Sequence, residues 1–251
     1  GAAVGAAVAA SQAHLADGLL RDYVAPRVCA MVAQLPRQRP ALLRLLYGWA
    51  PATAEARIGA IKVLQAELPT QALFLEALSH LVALEEPRLD QWLLDLYSYY
   101  AAVGLSKPSP GLRAGALHVL RTVARAHPDV ALLSSGRLVE MAGEAGAAWE
   151  VQAAAGALAG GLLAALADPE VDEPPPGAAQ ARTEAVPQLL GLLERLLRRP
   201  AAAHVVCSHA LAAAPLIAAH AQLQAPFFDA VLGLPAPVLA ALLTGAPLPG
   251  A

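Results

Sequence analysis

The amino-acid sequence predicts an all-α protein built from stacked antiparallel helix pairs. Hydrophobic residues make up 57% of its 251 residues and aromatic residues only 4%, so alanine and leucine supply most of the apolar content. Both favour helices, whereas the β-branched and aromatic residues that favour strands are scarce. Proline and glycine interrupt the chain at short intervals, and the apolar stretches between them have the length and period of helices.

Local residue chemistry sets the ends of the predicted helices. Thr53 is suited to cap the helix that follows it, and Pro87 and Pro200 suit first helical turns because a missing N–H costs nothing there. Pro128 is one of several prolines that end an apolar run. The predicted helices span residues 2–16, 18–34, 39–49, 52–67, 70–84, 87–103, 110–127, 134–144, 147–167, 179–198, 201–220, 224–233 and 235–244.

An internal similarity gives the clearest sign of repeated organisation. The segments that begin at Arg57 and Arg113 both read R-x-G-A-[IL]-x-V-L, and looser echoes begin at Gln152 and Arg182. Glycine inside a helix costs about 1 kcal/mol relative to alanine, so we expect close helix–helix packing to be the reason for each internal glycine. These glycines are Gly59, Gly115, Gly156, Gly160 and Gly161.

The repeated segment resembles the second helix of a HEAT or armadillo repeat. In those families an arginine near the helix start is followed by a small residue and then by aliphatic residues, and residues 110–128 carry the resemblance best. The resemblance implies a right-handed α-α superhelix, an α-solenoid of about six irregular helix pairs. Stacking explains such a fold, because one helix pair cannot bury its own apolar face. The irregular spacing leaves HEAT and armadillo undecided.

We expect one helical-repeat domain over residues 1–251. The acidic, proline-rich segment 168–180 lacks apolar periodicity and is predicted to be an exposed loop between an N-terminal block, 1–167, and a C-terminal block, 181–251. The chain does not begin with methionine, so we expect it to be a module of a larger protein.

The net charge and the length of the longest apolar run argue against several classes of partner. A net charge of −3 does not favour nucleic acid or an anionic membrane surface. The longest apolar run, 153–167, is shorter than the roughly 20 residues that a membrane span needs, so we expect no membrane insertion. Cys29 and Cys207 lie in apolar helical surroundings, and we expect buried free thiols in a reducing, cytoplasmic compartment.

No group of residues predicts catalysis, a metal site or a cofactor. His204, Cys207 and His209 do not share one helix face, and Glu76 with His80 lacks a neighbouring nucleophile. No glycine-rich nucleotide-binding motif is present. We therefore expect a protein that is not an enzyme, although a helical ligand-binding protein or an enzyme with a closed cavity stays the second alternative.

The leading prediction is a scaffold or protein–protein interaction module that binds through its concave face and its inter-helix loops. Loops around residues 37–39 and 106–109 carry basic side chains, and residues 92–100 hold the densest aromatic cluster. Solvated loops and core packing are the alternative interpretations of these residues. The candidate partner-binding residues are Arg37, Arg39, Trp92, Tyr97, Tyr99, Tyr100 and Lys107.

A more specific partner is the first alternative. A HEAT domain of about this length resembles the tubulin-binding TOG modules of microtubule regulators and ciliary proteins. Those modules use a row of loops that bear an aromatic and several basic residues. This resemblance implies a cytoskeletal or ciliary location, but the loops of this chain are poor in basic residues.

Overall fold

The computed structural model describes residues 18, 20–49, 53–84, 89–144, 146–166, 178–199 and 214–244. These residues are helical apart from short connections and contain no strand, so the all-α prediction is confirmed. A π-helical turn, Leu20–Val24, and a 3-10 turn, Pro36–Gln38, precede the first two α-helices. The α-helices are α1 Ala25–Gln34, α2 Arg39–Trp49, α3 Ala54–Glu67, α4 Gln71–Val82, α5 Gln91–Leu105, α6 Pro110–Ala124, α7 Pro128–Leu132, α8 Ser135–Gly143, α9 Trp149–Leu166, α10 Ala178–Leu197, α11 Ala214–Ala219, α12 Ala221–Leu232 and α13 Ala236–Thr244.

Most predicted helices coincide with observed helices to within a few residues. The helix predicted at 2–16 and the part of 201–220 before residue 214 lie outside the described residues. Helix α7 was not predicted, because Pro128 was interpreted as the end of a helix. Proline is also favoured as a first helical residue, and Pro128 begins α7 in that position.

The chain divides into two compact units, residues 1–100 and 101–251, and the boundary falls inside α5. In the first unit, α1 packs against α2 and α3, and α4 packs against α2 and α3. The segment predicted as a loop at 168–180 lies outside the described residues up to 177, and its last three residues begin α10. The largest fully buried side chains of the first unit are Leu43, Leu46, Ile61, Leu64, Leu75, Leu78, Leu81, Leu93 and Tyr97.

Helix α9 lies at the centre of the second unit. It packs against α6, α10 and α11, and α10 in turn packs against α8 and α12. Residues 151–159 of α9 are all buried, and most of them are alanine, which lets neighbouring helices approach from more than one side. By length and composition α9 could cross a membrane, but 61% of it is buried inside the protein, as in the core helix of a soluble protein.

Close packing does not explain three of the internal glycines. A Cβ atom placed on Gly59, Gly160 or Gly161 would meet no atom within 4 Å. The packing interpretation is wrong at these positions, where the space beside the helix is open.

The arginines of the repeated segment join their helices to earlier parts of the chain. The Arg57 guanidinium of α3 lies 4.8 Å from the centre of the Tyr47 ring in α2. In α6, Nε of Arg113 donates to the carbonyl of Lys107 at 2.8 Å. In α10, Arg182 donates to both carboxylate oxygens of Asp129 in α7, each at 2.8 Å. The arginine therefore has a structural role at all three positions.

Candidate functional site

Helix α5 carries four of the seven candidate residues, and a local cap fixes its start. The Asp90 carboxylate accepts the N–H of Trp92 at 2.9 Å, and the Asp90 carbonyl accepts the N–H of Leu94 at the same distance. A capping aspartate satisfies an amide that would otherwise have no helical partner. The cap holds the first turn of α5 in place, and with it the backbone of Trp92.

The exposed side of α5 within the first unit bears two large aromatic rings. Trp92 is 72% exposed and Tyr99 is 61% exposed. Seven residues separate them, so they share one face of the helix about 10 Å apart along its axis. Asp95 lies between them on that face and is also exposed. We call Trp92, Asp95 and Tyr99 the aromatic stripe.

The exposed ring of Tyr99 is supported by a column of side chains that reaches into the core. Its centre lies 5.4 Å from that of Tyr100, and the Tyr100 ring meets Phe74 edge to face at 4.9 Å. The Tyr100 hydroxyl donates to Oε1 of Gln65 at 2.6 Å. Burial, with a smaller effect of Tyr99, raises the pKa of Tyr100 above its ordinary value. The Tyr99 ring thus packs against a neighbour that is itself fixed by contacts with Phe74 and Gln65.

Tyr97 lies on the opposite side of α5, in the core of the first unit. It has no exposed surface, and its hydroxyl is 3.4 Å from the hydroxyl of Tyr47. Burial raises the pKa of Tyr97 to about 12, although the hydrogen bond with Tyr47 opposes the shift. Burial also raises the pKa of Tyr47. These surroundings favour the packing interpretation of Tyr97.

The two candidate loop arginines have different surroundings. Nη1 of Arg39 lies 2.9 Å from each carboxylate oxygen of Glu76, and its Nε donates to the carbonyl of Val32 at 2.8 Å. Arg39 therefore joins the start of α2 to α1 and α4. Arg37, in the 3-10 turn just before α2, is exposed.

Lys107 belongs to the second unit, between α5 and α6, and its side chain is half-buried. Its carbonyl accepts the hydrogen bond from Arg113. Ser109 follows it at the N-cap of α6 and is exposed, without a side-chain capping bond.

Sequence reasoning missed the acidic member of the stripe and the residues that position the candidates. Asp95 stands three residues after Trp92 and four before Tyr99, so helical spacing could have placed it on their face. Gln65 and Glu76 gave no comparable signal, because their partners lie 35 and 37 residues away along the chain.

The buried-thiol prediction is confirmed for Cys29. This cysteine is free and almost completely buried in α1. Burial, with a smaller effect of the Glu67 carboxylate, raises its pKa to about 11. Cys207, His204 and His209 lie outside the described residues. Among the residues that the structure does describe, no three histidine, cysteine or acidic side chains come together as a metal site.

Comparison with known proteins assigns no family to this arrangement. No protein-family model, curated protein sequence or solved structure matches the chain. What the geometry defines is an all-α protein with an exposed aromatic stripe on its first unit.

Proposed function

We propose that this chain is a non-enzymatic scaffold or protein–protein interaction module and that the aromatic stripe is part of its binding surface. The exposure of Trp92 and Tyr99 on one face of α5 carries the proposal. Tryptophan and tyrosine are enriched among the residues that dominate binding energy at protein interfaces. Large rings left in water contribute little to folding, so a partner that covers them gains their hydrophobic free energy.

The support that Tyr99 receives from Tyr100 and Phe74 strengthens this proposal. Ordering a side chain on association costs roughly 0.5–1.5 kcal/mol. The Tyr99 ring already packs against a neighbour that is itself hydrogen-bonded to Gln65. Less ordering is then required when a partner binds, and more of the contact energy appears as affinity.

We also propose that the helices form a HEAT/armadillo-like superhelix. Contacts between helices that are not consecutive along the chain support it. In the first unit α1 contacts α3 and α2 contacts α4. In the second unit one series of contacts runs through α6, α9 and α11, and another runs through α8, α10 and α12. Two such series are typical of stacked helix pairs, in which each pair touches its neighbours. In this proposal the exposed Arg37 lies at an inter-helix turn available to a partner, and the protein acts in the cytoplasm.

Affinity capture with the whole chain as bait tests the proposed function. The variants Trp92→Ala and Tyr99→Ala should each lose a protein that the unaltered chain captures, and Arg37→Glu reports on the loop. Phe228→Ala is the matched control, because Phe228 is 59% exposed but lies on α12. Arg39 is left unchanged, since its loss would break the ion pair with Glu76. Purified tubulin serves as one defined prey.

Circular dichroism of each variant establishes that its helices are intact. The proposal fails if every captured protein is retained by Trp92→Ala and Tyr99→Ala, or if Phe228→Ala loses the same proteins. If the unaltered chain captures purified tubulin and the Trp92→Ala or Tyr99→Ala variant does not, the cytoskeletal alternative is favoured.

A further inference from the structure

We infer that the partner presents an arginine side chain to the aromatic stripe, between Trp92 and Tyr99 and against Asp95. The inference rests on the proposed function and names the chemistry of the partner. Three observations carry it: the charge of α5, the spacing of the stripe, and the way this chain binds its own arginines.

Helix α5 and its N-terminal cap carry acidic side chains and no basic ones. From residue 89 to residue 106 the sequence holds two carboxylates, Asp90 and Asp95, and no lysine, arginine or histidine. Asp90 is engaged in capping the helix. Within the part of the chain that the structure describes, Asp95 accepts a single hydrogen bond, from Nε2 of Gln91 at 2.8 Å. A carboxylate offers about four acceptor positions, so Asp95 retains capacity for a cation.

The spacing of the stripe places this carboxylate between two aromatic rings. Asp95 is one helical turn from Trp92 and one from Tyr99, which is about 5 Å along the axis in each direction. A cation bound to Asp95 therefore lies within reach of an aromatic face on either side. Cations are attracted to such faces within about 6 Å of the ring centre, and tryptophan is the strongest of them.

Arginine fits this arrangement better than lysine does. Its planar guanidinium stacks on a ring and donates paired hydrogen bonds to a carboxylate, whereas the lysine ammonium is a strongly hydrated point charge. The chain uses both interactions internally: Arg57 lies over the Tyr47 ring, and Arg182 pairs with Asp129 through two bonds. The stripe offers both kinds of group, and its hydrogen bonds and ring contact among the described residues are made with Asp90, Gln91 and Tyr100, none of which is basic.

Length-matched synthetic peptides test the inference directly. Peptides of alternating glycine with arginine, lysine or glutamate are titrated onto the whole chain at physiological salt, and affinity is measured by biolayer interferometry. We expect the arginine peptide to bind more tightly than the lysine peptide, and the glutamate peptide not to bind. Asp95→Asn and Trp92→Ala should each weaken binding of the arginine peptide by roughly threefold or more, the size expected for one exposed cation–π or ionic contact.

Two substitutions on α12 serve as matched controls. Asp229→Asn removes an exposed carboxylate and Phe228→Ala removes an exposed aromatic ring, both in the second unit. Neither should change the affinity. Equal weakening by Asp95→Asn and Asp229→Asn would mean that only net charge attracts the peptide and would overturn the inference. Absence of binding, or equal affinity for lysine, would overturn it as well.

The capture experiment separates this inference from the proposed function. If Trp92→Ala loses a captured protein and Asp95→Asn retains it, the stripe binds a protein but not through an arginine. If neither Trp92→Ala nor Tyr99→Ala loses a captured protein, the proposed function itself fails. Loss with both Trp92→Ala and Asp95→Asn supports both statements.

Discussion

Several glycines inside the described helices have open space where a side chain would project, and three of them belong to the set singled out in the sequence. Gly59 belongs to α3, and Gly160 and Gly161 belong to α9. Glycine loses more conformational freedom on folding than alanine does. At these positions no neighbouring atom is so close that a Cβ has to be absent. These positions therefore lower the stability of the two units without a packing benefit.

Replacing these glycines by alanine should stabilise the protein. We expect Gly59→Ala and Gly161→Ala each to raise the free energy of unfolding by about 0.5–1 kcal/mol, measured from urea denaturation. Gly233→Ala is the comparison, because Gly233 lies beyond the end of α12, where helix propensity does not act, and we expect a smaller gain there. A lower free energy of unfolding for the Gly161→Ala variant would contradict the open space beside Gly161.

At the residue scale, burial separates side chains that sequence spacing groups together. Trp92, Tyr97, Tyr99 and Tyr100 lie within nine residues of one helix, but two are largely exposed, one is fully buried and one is nearly so. Helix α5 carries apolar residues on every side, so its periodicity does not tell which face meets the core. Similarly, the role of Arg39 depends on Glu76, which the fold brings to it from α4.

At the scale of the helices, most of the fold could be predicted because the signals are local. Thr53 and Thr70 each accept the N–H of the residue three positions later, at 3.3 and 3.2 Å, and so begin α3 and α4. Caps and prolines act within one turn, and a sequence displays them directly. The five-residue helix α7 was missed because Pro128 is equally compatible with an end and a beginning.

The ion pair between Arg182 and Asp129 is expected to contribute to the docking of α10 on α7. Both side chains are partly buried, at 18% and 29% exposure, and two parallel bonds join them. A double-mutant cycle with Arg182→Ala and Asp129→Ala should give a coupling free energy on the order of 1 kcal/mol, measured by thermal or urea unfolding.

A second pair provides the comparison. Arg198 and Glu194 form a more exposed pair one turn apart on the surface of α10 and its end. The same cycle there should give only a few tenths of a kcal/mol. Similar coupling in both cycles would contradict a docking role for the buried pair.

At the scale of the whole molecule, the two units differ in their titratable groups. All five tyrosines precede residue 101, and burial raises the pKa of Cys29 to about 11 and of Tyr97 to about 12. The division between the units falls inside α5, where no loop marks it in the sequence. Composition reveals linkers, but it does not reveal a boundary that runs through a continuous helix.

These pKa shifts predict a loss of stability at alkaline pH. The folded state holds the Cys29 and Tyr97 protons more tightly than the unfolded state, whose groups titrate near their ordinary values of 9.0 and 10.0. The unfolded state therefore binds fewer protons between about pH 9 and pH 12, and the free energy of unfolding falls as pH rises through that window. Below pH 9 the contribution is fully present.

Urea denaturation over a pH series checks this expectation. The stability of the unaltered chain should decrease from pH 9 upward, and a Cys29→Ala/Tyr97→Phe variant should lose less over the same range, because neither replacement titrates. Parallel curves for the two proteins would show that other groups govern alkaline unfolding.

The buried alanines of α9 limit which point mutations the helix can tolerate. A single-base change in an alanine codon that alters the residue yields valine, threonine, serine, proline, glycine, aspartate or glutamate. At the alanines between Val151 and Ala159 we expect each outcome to be destabilising. Valine and threonine overfill the packed core, serine buries a hydroxyl, charged side chains lose their hydration, and proline or glycine weakens the helix. We therefore expect the buried alanines of α9 to tolerate few single-base substitutions.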